Sequence, residues 1–130
     1  MATVLVVEDE AVLLVLAESV IKSAGYETLT ASSLSQAQAL ISSSENIDLV
    51  VTDINLGDDR EAGIHVGQLV RQLRPQTPVL YTSGFNMTDG LRELFVDNSE
   101  FLDKPYTDLQ LIEAMARQLR SPPSLRDSDK

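Results

Sequence analysis

Cysteine is absent from the 130 residues. That one absence excludes a disulfide framework, a thiolate zinc site, an iron–sulfur cluster and a cysteine nucleophile. Positive charge is scarce: 10 Lys+Arg stand against 20 Asp+Glu, for a formal net charge of −10. The last ten residues, SPPSLRDSDK, hold two cations and two anions, so the acidic excess lies in residues 1–120. A surface this acidic repels phosphate backbones, which argues against direct nucleic-acid binding. It suits a metal cation or a basic partner. No apolar run reaches the roughly 18 residues of a membrane span. The opening MATVLVVEDE lacks a basic n-region and meets acids at Glu8, so it is not read as a signal peptide. A cytoplasmic protein is the default expectation.

What is present is an ordinary globular composition, 43% hydrophobic and 23% charged. This length suits one domain that buries about two-thirds of its surface. Residues 3–7 (TVLVV), 48–53 (DLVVTD) and 78–83 (PVLYTS) are short apolar runs that end at polar residues. Without alternation they read as strands buried on both faces. Residues 26–31 and 100–103 are weaker strand candidates. Helical patterns fill the gaps at 11–24, 33–43, 63–74, 88–97 and 107–120. Gly25 is placed as the stop of the first helix. Ser33/Gln36 and Thr107/Gln110 have capping-box spacing, and Pro75 ends the third helix. Gly90 weakens the first turn of the fourth helix by about 1 kcal/mol relative to alanine, so that helix is expected to be mobile and responsive to chemistry at the site. Five β-α repeats predict an α/β, doubly wound parallel sheet. Residues 1–120 form this domain, and 121–130, with two prolines and serines, read as a disordered tail.

In open α/β sheets ligands sit beyond the carboxyl ends of the strands. Those ends carry Glu8, Asp9 and Glu10 after the first strand, and Asp53 and Asn55 at and after the third. Thr82 and Ser83 close the fourth, and Lys104 and Pro105 follow the fifth. Three acids brought together repel one another, and a magnesium ion relieves that repulsion through hard oxygen ligands. A carboxylate beside such an ion can act as a nucleophile toward phosphorus. A hydroxyl and an ammonium group then neutralise the remaining phosphoryl oxygens. Each piece alone has a bland reading, as a solvated loop, a cap or a surface charge. Lysine is rare, though, with only Lys22 and Lys104 before Lys130.

The pieces VLVVEDE, DLVVTDINL, PVLYTSG and FLDKP, in this order and spacing, resemble the receiver domain of two-component response regulators. The resemblance covers residues 2–120. It implies a five-stranded (βα)5 flavodoxin-like fold with strand order 2-1-3-4-5. It further implies that Asp53 is the phospho-acceptor, and that Asp9 is a direct Mg2+ ligand with Glu8 acting partly through water. By the same resemblance the Asn55 backbone carbonyl would complete the metal shell, and Lys104 would bind the phosphoryl oxygen ahead of a bond to Pro105 that is commonly cis in the family. Ser83 is preferred over Thr82 as the hydroxyl, because neighbouring strand residues point to opposite faces. Ser83 also lies thirty residues after Asp53 and precedes small Gly84. Phe101 resembles the family's aromatic switch, working here by packing alone.

The implied function is Mg2+-dependent transfer of a phosphoryl group from the phosphohistidine of a histidine kinase or histidine phosphotransfer protein onto Asp53. That transfer switches a protein-interaction surface in a phosphorelay. The domain is then not an enzyme beyond its own phosphorylation and dephosphorylation, and it reads as stand-alone with protein–protein output. An aspartate-based phosphohydrolase is a rival reading, although Asn55 stands where that chemistry usually wants an acid. A flavin carrier is another, but Glu8-Asp9-Glu10 repels phosphate. A receiver-like scaffold that binds partners without phosphorylation is the third. The sequence departs from the family at Gly57, where many relatives have proline. The loop before Gly63 is about two residues longer, and Ala62 replaces a common aspartate. His65 reads as a surface residue. Leu14 and Val15, on the water face of the first helix with Glu18, Ser19, Lys22 and Ser23, are expected to dock the phosphodonor.

Overall fold

The computed structural model describes residues 1–84 and 89–120. The expected tail and the first residue of the expected fourth helix lie outside them. The element order is β1 (Thr3–Val7), α1 (Ala11–Ser23), β2 (Glu27–Ala31), α2 (Leu34–Ile41), β3 (Leu49–Asp53), α3 (Ala62–Leu73), β4 (Val79–Ser83), α4 (Asp89–Arg92), β5 (Ser99–Asp103) and α5 (Asp108–Arg120). All pairs are parallel, in the order β2-β1-β3-β4-β5.

Strand position explains the sequence pattern. Every residue of β1, β3 and β4 is buried, whereas β2 and β5 have exposed or half-buried residues throughout most of their length. The two weaker strand candidates are therefore the sheet's edges. Alternation along each strand divides the core in two. Val4, Val6, Leu49, Val51 and Leu80 pack with Ile21 of α1 and Leu111, Ala114 and Met115 of α5. Leu5, Val7, Val50, Val79 and Tyr81 pack on the other face with Ala37 and Ile41 of α2 and Ile64, Val66 and Val70 of α3. Leu91 and Phe95, in and just after α4, join this second cluster.

The predicted stops and caps have physical counterparts. Gly25 has φ +99°, its N–H donates to the Lys22 carbonyl, and the Tyr26 N–H donates to Ile21. That is a Schellman closure, sealed by Tyr26 and Ile21 in one apolar cluster. Thr107 and Gln110 form a full capping box, at 3.0 and 2.8 Å. At α2 the Gln36 backbone N–H donates to Ser33 Oγ, but the Gln36 side-chain oxygen Oε1 accepts from the Ser32 N–H.

The structure corrects the expected extent of one helix. The fourth helix, expected over 88–97, is helical only over Asp89–Arg92. Single turns close at Leu94 and Phe95, whose N–H groups donate to Leu91 and Arg92. The one ring of this segment packs inward: Phe95 stacks on Tyr81 at 4.3 Å between centroids. The inward packing of half-buried Phe95 therefore dictates the path where propensity suggested more helix.

Candidate functional site

The parallel register brings the ends of β1, β3, β4 and β5 to one edge. Backbone bonds carry the ladder past the strand ends: Glu8 N–H to Ala31, Ile54 N–H to Thr82, and Lys104 N–H to Ser83. Glu8, Asp53, Thr82 and Ser83 are buried there, Lys104 is half-buried and Asp9 is exposed. One carboxylate oxygen from each of Glu8, Asp9 and Asp53 lies within 4.8 Å of the others.

Lys104 Nζ donates to Glu8 Oε1 at 2.8 Å and to Asp53 Oδ2 at 3.1 Å. Glu8 Oε2 accepts the Glu10 N–H at 3.2 Å. Burial pushes the Asp53 carboxyl above its ordinary range, with Lys104 and the Asn55 backbone N–H opposing and the charge of Asp9 adding to the rise. Burial likewise raises Glu8, against its hydrogen bond to Lys104 and with the charge of Asp53. Burial works against the Lys104 cation too. Its hydrogen bond to Glu8 and the charges of Asp53 and Glu8 outweigh that, so its pKa is raised. One ammonium group thus serves two buried acids, and the third acid leaves negative charge uncompensated. Hard oxygens at this spacing fit a magnesium ion.

The other predicted residues fall as follows. Asn55 is half-buried beside the site and offers its backbone N–H to Asp53. Ser83 is buried next to Gly84, where an added Cβ would come 3.7 Å from Lys104 Cβ, so there is room above the strand end. The Lys104–Pro105 peptide is cis. Phe101 is half-buried on β5, 5.9 Å from the Phe95 ring, with the Arg92 guanidinium 5.3 Å over it. His65 is exposed on α3.

Gly63 is what lets α3 sit against the acceptor. A Cβ there would overlap the carbonyl oxygen of Asp53, and the Gly63 N–H instead donates to Ile54 at 2.8 Å. Residues 4–116 match the family description of a response regulator receiver domain. The chain belongs to that family.

A response regulator receiver protein from Sinorhizobium medicae WSM419 is 34% identical, with a TM-score of 0.84 over 92% of this chain and 95% of that one. A receiver domain protein from Clostridium thermocellum is 25% identical, with a TM-score of 0.80 over 92% and 95%. A CheY-like receiver from Methanospirillum hungatei JF-1, 22% identical with a TM-score of 0.83 over 93% and 95%, shares the fold. No curated protein matches. As a receiver, the chain carries its phosphorylation and magnesium site in the Glu8, Asp9 and Asp53 cluster. Its catalysis is confined to its own phosphorylation and dephosphorylation. No helix among the described residues is long and apolar enough to cross a membrane.

Sequence reasoning missed three features beside the site. Asp9 Oδ2 accepts the Gly57 N–H at 2.8 Å. Tyr81, Phe95 and Phe101 form one run of stacked rings from β4 to β5. A cavity of about 410 Å³ opens between α1 and α5, lined by Leu13, Leu16, Ala17, Val20, Tyr106 and Leu111, with Glu8 and Lys104 at its edge. Leu14, expected on the water face, packs instead against the α1/α5 core cluster. On these two helices the exposed large apolar residues are Val12, Val15 and Leu16 of α1 and Leu109 of α5.

Proposed function

We propose that Asp53 takes its phosphoryl group from the phosphohistidine of a cytoplasmic histidine kinase or histidine phosphotransfer protein. An Asp53 carboxylate oxygen forms the new bond to phosphorus, the nitrogen–phosphorus bond breaks, and the leaving imidazole nitrogen takes up a proton. Glu8, Asp9, Asp53 and the Asn55 carbonyl would hold Mg2+, which neutralises charge on the phosphoryl oxygens. Lys104 then exchanges its contact with Asp53 Oδ2 for a phosphoryl oxygen, and Ser83 donates to another. The observation that carries this reading is the Lys104 ammonium between two buried carboxylates, with a third acid within reach.

Leu16, exposed on α1, lines the cavity beside Lys104, and Val12, Val15 and Leu109 are exposed on the same two helices. A helix of the phosphodonor laid along this groove would bring its histidine to the acid cluster. Phosphorylation adds a charge of about −1.5 to −2. The phosphorylated state repacks Phe101 against Phe95, and so alters the face made by α4, β5 and α5 that a downstream protein reads.

The test is Mg2+-dependent labelling by acetyl phosphate. A single aspartyl phosphate is expected on Asp53, and none on Asp53→Asn. Labelling that is independent of metal, or that persists in Asp53→Asn, overturns the assignment.

A further inference from the structure

We propose that the backbone N–H of Gly57 is the positioning group for Asp9, holding that carboxylate ready for the divalent cation. The inference rests on the receiver reading and deepens it. The three acids of the site are not held alike. Glu8 and Asp53 are buried and share the Lys104 ammonium. Asp9 is exposed, and its side chain receives one hydrogen bond among the described residues, from Gly57 at 2.8 Å.

The loop after β3 is shaped to make that bond. Leu56 and Asp59 exchange both backbone hydrogen bonds, at 3.0 and 3.1 Å. Gly57 and Asp58 are therefore the two loop residues of a tight hairpin. Gly57 has φ +62° and Asp58 does not have a positive φ, which is the pattern of a type II′ turn with glycine at its first loop position. The turn's own bonds use the flanking residues, so the Gly57 N–H is left over and goes to Asp9. The positive φ favours glycine, and the N–H excludes proline, which would fix φ near −65° and have no N–H to give.

A carboxylate fixed by a charge-assisted hydrogen bond loses less freedom when it meets the ion. Groups that orient metal-binding side chains typically matter by about 10–100-fold in metal affinity. The same bond fastens the β3–α3 loop to the acids, so cation binding is read by the loop.

The test uses the full chain with the Leu56–Gly57 amide replaced by an ester, which removes the N–H and keeps a glycine-like backbone. Titration calorimetry with Mg2+ is expected to show about tenfold weaker binding. Acetyl-phosphate labelling of Asp53 at saturating Mg2+ should return to the level of the all-amide chain. Unchanged Mg2+ affinity overturns the proposal. Failure of the all-amide chain itself to bind Mg2+ or be labelled marks the other failure, that of the receiver reading. A second measurement needs no ester. Amide exchange at Gly57 should be about tenfold faster in Asp9→Ala than in the parent chain, with the Asp59 amide, held by Leu56, unchanged. Equal Gly57 rates in the two chains overturn the proposal.

Discussion

Lys104 is held between Glu8 and Asp53, with Nζ 2.8 Å from one carboxylate and 3.1 Å from the other. Removing it strands two buried acids of like charge. Breaking one side of a buried ion pair costs about 3–5 kcal/mol. The lysine head is partly open to water here, so Lys104→Met is expected to cost about 2–3 kcal/mol in the metal-free chain. Saturating Mg2+ replaces the missing positive charge and shrinks the loss. Thermal melts in EDTA and in Mg2+ check this. Equal losses in both would show that the lysine stabilises the fold by packing and not by charge.

Asp53→Asn changes stability with a sign that depends on pH. Burial is the largest influence on the Asp53 carboxyl and raises its pKa despite Lys104. A carboxyl with a raised pKa binds its proton more readily in the folded chain than in the unfolded one. Its contribution is fully present below the unfolded value of about 4 and is lost as pH rises through the folded value. In EDTA at pH 7, Asp53→Asn is therefore expected to be more stable than the parent. The gain should fade as the pH is lowered to about 4. Mg2+ binds the parent's acid cluster and reverses the order at pH 7. Urea unfolding across this range decides, and an asparagine variant less stable than the parent at pH 7 in EDTA would contradict the raised pKa.

The sheet and the acid–lysine edge were legible in the sequence because buried parallel strands leave continuous apolar runs such as TVLVV and LVVTD. Their polar ends must then fall on one rim. Gly57 and the short α4 were not legible, for different reasons. The missing proline at Gly57 was visible, but a backbone N–H has no letter in a sequence, and its acceptor lies 48 residues away. The sequence overstates the fourth helix, since Leu91, Phe95 and Val96 have a spacing that a helix would also accommodate. In the fold those apolar residues pack inward, and Tyr81 Oη accepts the Val96 N–H at 3.2 Å. Tyr81 has room there because Gly67 of α3 carries no side chain over its ring. Leu14 packs inward although its spacing puts it with the water face, because α1 is apolar most of the way round and periodicity alone does not mark its inner face.

Two glycines of α3 should respond differently to alanine. At Gly67 the added Cβ meets the Tyr81 ring, and at Gly63 it meets the backbone of Asp53 and Ile54. Overpacking typically costs about 1–3 kcal/mol. Gly67→Ala should be destabilising in an otherwise parental chain and much less so in Tyr81→Val, where the ring is gone. Gly63→Ala has no side chain to trim, so the carbonyl of Asp53 must shift. It should slow acetyl-phosphate labelling as well as lower stability, and Tyr81→Val should not rescue it. Denaturant unfolding and labelling rates on the single and double variants separate the two cases. Rescue of Gly63→Ala by Tyr81→Val would place the clash elsewhere.

The docking face can be separated from the chemistry because the two use different residues. Val15 and Leu16 are more than half exposed on α1, and Leu16 also lines the cavity beside Lys104. Neither touches the acid cluster through a hydrogen bond or ion pair. A lysine at either position places an ammonium group on the apolar face without emptying the core, whereas Leu14→Lys would bury one and confound binding with unfolding. Leu16→Lys is therefore expected to slow transfer from a phosphohistidine protein at least tenfold, the equivalent of losing about 1.4 kcal/mol of contact. Labelling by acetyl phosphate, which needs no protein contact, should stay within twofold of the parent. Val15→Lys should act in the same direction. A loss of both reactions would mean that the substitution disturbs the site. Unchanged transfer from the protein donor would move the docking face off α1.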